Sequence, residues 1–293
     1  MPPRDIGLVL LVVLAWGSNF TAMKLALDEI PPFLFVGLRF AILLPLLAVL
    51  KRPPVPWWKI LAVGGLINMG QFAFLFAALR ADASAGLASL LIQTQVPLTI
   101  LLSLLLFGER IGARQALGLA VALAGLGVFA LTAGGNVTLT GLGLILMGAL
   151  CWALGNLVLR RMGRVNTLAL FIWACLVPPL PMLALSMAVE GPAPLATLAG
   201  LSLQGWGAVL YVALASTVLG YTLWGALLAR HPASAVTPFA LLIPVVGIAV
   251  SALVLGERPG PTDWLGGAVI LAGLALIQYA PRRGQAASGR PRL

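Results

Sequence analysis

From Ile6 to Met23 the chain carries no charged residue, and uncharged apolar runs of similar length recur almost to its C-terminus. At about 1.5 Å per helical residue, such a run crosses the roughly 30 Å hydrocarbon core of a bilayer. Dividing the sequence at its Pro, Gly and charge clusters gives ten segments, 6–27, 33–50, 57–80, 83–107, 111–132, 139–161, 166–189, 202–228, 231–256 and 262–280. Each has about the 17–25 residues that a spanning helix needs. Hydrophobic residues make up 61% of the chain and charged ones 9%, against about 45–50% and about 25% in soluble domains. A large soluble core does not explain that balance. The expectation is an all-α integral membrane protein of ten transmembrane helices.

The formal charge of +10 does not indicate nucleic-acid binding, because Lys and Arg stand singly between apolar runs rather than on one solvated face. They fall instead on alternate connections. Lys51, Arg52, Lys59, Arg110, Arg114, Arg160, Arg161, Arg164, Arg230 and the C-terminal arginines share a side with Arg4, whereas Lys24, Arg80 and Arg258 lie near the other. Cytoplasmic loops carry the excess of basic residues, so both termini are expected in the cytoplasm. Cys151 and Cys175 sit in apolar segments and read as small buried hydrophobes.

The chain also repeats. Gly108-Glu109-Arg110 matches Gly256-Glu257-Arg258, and Gly118, Ala124 and Gly125 match Gly266, Ala272 and Gly273, all 148 positions apart. Trp16 has a weaker counterpart in Trp152. Each half holds five segments, and an odd number turns the second half upside down relative to the first. The domain reading is therefore a first five-helix repeat over 1–136, an inverted second repeat over 137–280 and a disordered cytoplasmic tail over 281–293. Inverted repeats place a substrate site near the midplane, where the halves meet.

WGSNFTAMK (16–24), PPFLFVGLRFA (31–41), GER after the fourth and ninth segments and LAGL in the fifth and tenth resemble the drug/metabolite transporter superfamily, specifically its ten-helix EamA-type exporters. The chain is most similar to the bacterial amino-acid exporters of that group. The resemblance implies two inverted five-helix bundles around a central cavity, and export of amino acids, metabolites or toxic compounds.

Polar groups inside a membrane must bond internally or line water, so each one is informative. Trp16 and Asn19 share a face of the first segment, and Trp152 and Asn156 lie at i, i+4 on the sixth. Asn68 and Gln71 lie at i, i+3 on the third, Gln95 is on the fourth, and Thr217, Tyr221 and Trp224 fall at i, i+4, i+7 on the eighth. These ten are the candidate substrate-binding residues. Amides suit the charged ends of a zwitterion, and aromatic walls suit an apolar side chain or a cation. Each Asn or Gln could equally serve as glue between helices. Pro97 and Pro244 open matching stretches of the two halves and are candidate hinges, or static kinks.

Arg39, well inside the second segment, is expected to snorkel to the outer surface or pair with Asp28 or Glu29, with contact to the substrate as the alternative. Lys24 suits the end of its helix. His231, at a helix end beside Pro232, reads as a surface residue. No Asp or Glu falls in mid-span, which disfavours proton coupling through an intramembrane carboxylate. No HExxH or GxSxG motif points to an enzyme, and no residue pattern implies a metal or cofactor. The expected function is alternating-access, facilitative export of amino acids (aromatic or other apolar ones) or related metabolites from a bacterial inner membrane. The partners are a small-molecule substrate and the lipid bilayer, with a monomer as the expected state. The alternative is export of cationic drugs or other toxic compounds, with or without proton coupling.

Overall fold

The computed structural model describes residues 1–108, 111–131, 137–162, 165–191, 194–231 and 236–278. The tail over 281–293, Glu109, Arg110, Arg164 and Pro232 lie outside the described residues. Among the described residues, seven helices are long and apolar enough to cross a membrane and three more are shorter apolar helices, which together make ten. They are α1 (Pro3–Ala26), α2 (Pro32–Ala48), α3 (Trp57–Ala81), α4 (Ala85–Phe107), α5 (Ala113–Leu131), α6 (Leu139–Arg160), α7 (Thr167–Val189), α8 (Leu203–Arg230), α9 (Phe239–Leu255) and α10 (Pro261–Gln278). A further short helix, Pro194–Ala199, lies in the α7–α8 connection. The sequence spans agree with these bounds to within a few residues, and the expected start of the ninth falls against 232–235, which lie outside the described residues.

The internal repeat is visible in the backbone. α3 widens to a π-helix over Gly64–Gln71, and its counterpart α8 does so over Tyr211–Leu219. α4 tightens to a 3-10 turn at Ile92–Thr94, and a 3-10 stretch over Thr237–Leu242 leads into α9 and overlaps its start. Pro97 and Pro244 stand in the first turn of the α-helix that resumes after each 3-10 stretch. A proline there removes the bond to the carbonyl four residues back, at Gln93 and Ala240. Gly108 and Gly256 then end α4 and α9 with φ of 61° and 67°, in the left-handed region that glycine enters without strain.

Packing interlocks the halves. α1 lies against α8 and α9 of the second half, and its counterpart α6 lies against α3 and α4 of the first. α2 pairs with α7, and α5 pairs with α10. At the α5–α10 seam a Cβ on Gly118 would lie 2.8 Å from the Gly273 carbonyl, and one on Gly125 would lie 3.0 Å from that of Gly266. The repeat-matched glycines therefore serve close backbone approach, as small residues do between membrane helices.

At one end of the bundle three carboxylates each bridge the halves by accepting from a helix N-terminus. Glu29 accepts from Ser202 N (2.8 Å) and Oγ (2.5 Å) at the start of α8. Glu190 accepts from Phe33 N (2.7 Å) and Leu34 N (3.2 Å) of α2. Glu257 accepts from Ala85 N (2.6 Å) and Gly86 N (2.9 Å) of α4. These amides are among those a helix leaves without internal partners. The Ser202 bonds hold the Glu29 carboxyl below its ordinary range. At the same end Lys24 Nζ donates to the Leu79 carbonyl, and Arg80 Nη1 donates to that of Leu27 at 2.9 Å. At the opposite end Asp5 of α1 pairs with Arg230 Nη1 (3.1 Å) and His231 Nε2 (2.6 Å). His231 is thus tied into the α1–α8 contact rather than free on the surface.

A candidate substrate cavity between the two halves

The site forms where α1, α2, α3, α4, α6, α8 and α9 converge. Its lining is Trp16, Asn19, Phe20, Arg39, Gln71, Phe72, Leu75, Ser89, Ile92, Gln93, Trp152, Ser216, Tyr221 and Ile243, around an empty volume of ≈ 640 Å³. No Asp or Glu is in that set. Five of the ten residues singled out from the sequence are here: Trp16, Asn19, Gln71, Trp152 and Tyr221.

Trp16 is fixed from both sides. Its indole Nε1 donates to the Ser216 carbonyl in the α8 π-helix at 2.8 Å, and it packs against Tyr221 and Trp224 at ring distances of 5.7 and 5.2 Å. A side chain at Gly220 would collide with the indole nitrogen, so glycine there makes room for the ring. Tyr221 stacks on Phe171 of α7 at 4.4 Å with planes 11° apart. Tyr221 also borders a second cavity of ≈ 680 Å³, lined by Val165, Asn166, Thr167, Leu168, Thr222, Gly225 and Ala226. That second space lies between the start of α7 and the end of α8, and Tyr221 borders both it and the central cavity.

The other five do not line it. Asn68 is buried and donates to the Phe171 carbonyl (3.3 Å) and to Cys175 Sγ (3.7 Å), joining α3 to α7. Asn156 Nδ2 donates to Gln95 Oε1 (2.8 Å) and Thr99 Oγ1 (3.3 Å), joining α6 to α4. Thr217 donates to the Val212 carbonyl at 3.1 Å and accepts from Arg39. Trp224 stands behind Trp16, next to the apolar cluster of Val9, Leu227 and Val236. These positions take the interhelical-glue role that polar groups in membranes often have.

Arg39 departs from the expectation of snorkelling or of pairing with Asp28 or Glu29. It is 3% exposed. Its Nη2 donates to Thr217 Oγ1 at 3.1 Å, and its guanidinium carbon sits 3.9 Å from the centre of the Phe72 ring and 5.1 Å from that of Phe40. The physical reason is helix phase: Phe35, Val36 and Leu43, at i−4, i−3 and i+4, are all fully buried, so Arg39 shares the inward face of α2. Glu29 is meanwhile engaged by Ser202. Four buried polar atoms at the cavity have no partner, namely Arg39 Nε and Nη1, Asn19 Oδ1 and Gln71 Oε1. Asn19 is otherwise held only by a 3.1 Å contact from Nδ2 to Met23 Sδ.

The matched halves, the interlocking first helices and the cavity at their junction describe a transporter architecture. The EamA-like transporter family model matches residues 4–131 and again 139–279. The chain belongs to the EamA-like transporter family. Within it, this chain is 38% identical over 290 residues to a Salmonella typhimurium protein described as a "probable amino-acid metabolite efflux pump", covering 96% of this chain and 97% of that one. An Escherichia coli K12 protein of the same description is 37% identical with the same coverage. A "probable terminal-alkyne amino-acid exporter" of Streptantibioticus cattleyicolor is 28% identical over 94% of this chain and 93% of its own. A crystal structure 22% identical in sequence superposes with a TM-score of 0.62, covering 97% of this chain and all of the other, and shows the same fold. This EamA-like chain is accordingly a multi-pass membrane protein of two inverted five-helix repeats.

Proposed function

We propose that this protein exports amino acids or closely related metabolites across a bacterial inner membrane by alternating access. The observation that carries the reading is the cavity at the junction of the halves, walled by Trp16, Phe20, Phe72, Trp152 and Tyr221 and furnished with the amides of Asn19, Gln71 and Gln93. It offers apolar surface for a side chain and polar groups for a backbone-like head. Its similarity to described amino-acid efflux proteins over nearly the whole chain supports the same reading.

Residues 1–136 and 137–280 act as the two moving repeats, and Pro97 and Pro244 as paired hinges. The basic connections support a cytoplasmic position for both termini. The second cavity beside Tyr221 then faces inward, and the Glu29, Glu190 and Glu257 contacts close the outer end. Substrate reaches the central site past the Phe171–Tyr221 stack and leaves when the outer contacts part. The protein performs no covalent chemistry, and the drive is the substrate's own gradient, since no carboxylate lines the cavity to carry a proton. The same lack of a negative group, beside the positive Arg39, disfavours organic cations.

Reconstituted protein tests this with labelled amino acids and labelled organic cations. Counterflow of amino acids alone is expected, independent of an imposed pH gradient. Counterflow of cations alone would overturn the substrate reading, and accumulation that appears only with a pH gradient would overturn the facilitative one.

A further inference from the structure

Arg39 presents a problem of electrostatics that the fold does not solve. A guanidinium taken out of water carries a desolvation cost of several kcal/mol unless a counter-charge and hydrogen bonds compensate. Here it has one hydroxyl, Thr217, and the π-face of Phe72. Two of its nitrogens remain unpartnered, and the cavity holds no Asp or Glu. Two adjacent groups have the opposite need, since the buried oxygens Asn19 Oδ1 and Gln71 Oε1 accept from nothing. A substrate bearing one carboxylate and one ammonium would satisfy all four atoms. The guanidinium presents its donors in a planar fork that matches a carboxylate, and an ammonium donates to amide oxygens.

We propose that Arg39 is the carboxylate anchor of the transport site and that the Asn19 and Gln71 side-chain oxygens receive the ammonium, so that the cavity takes α-amino acids as zwitterions. This rests on the exporter reading above and adds the feature the substrate must possess. The aromatic walls admit varied side chains because rings and apolar groups make few directional demands. Selection falls on the head group. An α-amide or methyl ester leaves Arg39 without its counter-charge, and an N-acetyl derivative offers one uncharged N–H where the two amide oxygens call for two donors. Sites that hydrogen-bond a substrate group discriminate strongly against analogues lacking it, because their own buried polar groups are then stranded.

The test uses the full chain in proteoliposomes and counterflow of each radiolabelled proteinogenic L-amino acid. For the amino acid carried best, its α-amide, methyl ester and N-acetyl form are then offered as unlabelled competitors. With wild-type protein, each analogue is expected to need about 30-fold more than the parent acid to halve counterflow, the factor that loss of one charged hydrogen bond implies. In Arg39→Gln the preference for the acid over its amide is expected to collapse toward unity. Arg39→Lys, which keeps the charge but not the fork, is expected to restore part of it. Arg39→Gln should also keep or raise the substrate-free melting temperature, because it removes an uncompensated charge while Thr217 keeps its bond to Val212. A purely structural arginine would instead lower melting and leave the acid-to-amide ratio intact, which overturns the proposal. Equal competition by acid and amide in wild type also overturns it, without any variant having to fold. Counterflow with no amino acid at all would overturn the exporter reading and the anchor together.

Discussion

Substituting Glu257 by Gln isolates one of the three carboxylate contacts that bridge the halves at one end of the bundle. The carboxylate accepts from two backbone amides, Ala85 N at 2.6 Å and Gly86 N at 2.9 Å, and so ties the end of α9 to the start of α4. Glutamine keeps the length of the side chain but has one carbonyl oxygen, so one amide loses its acceptor and faces an NH2 group. The charge that complements the α4 dipole is lost as well. A charged hydrogen bond contributes about 1.5–3 kcal/mol and the dipole term about 0.3–1 kcal/mol. Because Glu257 is only half-buried, we discount that sum for solvent screening to about 1–2 kcal/mol. Since 1.4 kcal/mol is tenfold, opening at this contact should become about 5–30-fold more frequent. α4 itself should persist, since Ser84 Oγ still accepts from Leu87 N at 3.2 Å. Hydrogen–deuterium exchange in nanodiscs measures this directly. Faster exchange in a peptide covering 85–91 is expected, with little change over 95–107. Unchanged protection at 85–91 would refute the reasoning.

Gly220→Ala should drive a methyl group into the Trp16 indole, break its bond to Ser216 and destabilise the protein by about 1–3 kcal/mol. Trp fluorescence and thermal melting would register it. Removing Asn156 and Gln95 singly and together should give a coupling energy of about 0.5–2 kcal/mol in stability. The apparent KM for substrate should stay within about twofold, because neither residue lines the cavity. Glu29 has its folded pKa lowered by the Ser202 bonds, so its stabilisation is present above its unfolded pKa and lost as pH falls through the lowered folded value. Melting curves should show an acid-side loss in wild type that Glu29→Gln lacks; identical pH profiles would contradict it.

Membrane insertion, helix number and the inverted halves were legible in the sequence because they depend on long-range composition. Apolar run length, the sides on which Lys and Arg fall, and the offset of 148 all survive without knowledge of packing. The cavity was half legible. Trp16, Asn19 and Trp152 stand out as polar or bulky mid-span residues. Asn68 and Asn156 stand out equally but bond to neighbouring helices, since residue type alone does not set which face of a helix meets the cavity. Arg39 carried a usable signal in its spacing from Phe35, Val36 and Leu43, which places it on the most apolar face of α2. Depth along the helix suggested snorkelling; helix phase decides otherwise. The paired π-helices of α3 and α8 have no comparable signature, because their wider turns arise from how helices pack rather than from local propensity.

The central claim is that the cavity between the repeats opens alternately to each side of the membrane with substrate in it. Gln93 lines that cavity and is 8% exposed. With Cys151 and Cys175 first replaced by alanine, a single Gln93→Cys gives a reporter for a membrane-impermeant thiol reagent applied from either side of oriented vesicles. The account predicts labelling from both sides, slowed on both by the transported amino acid. Labelling from one side only, unaffected by substrate, would contradict it.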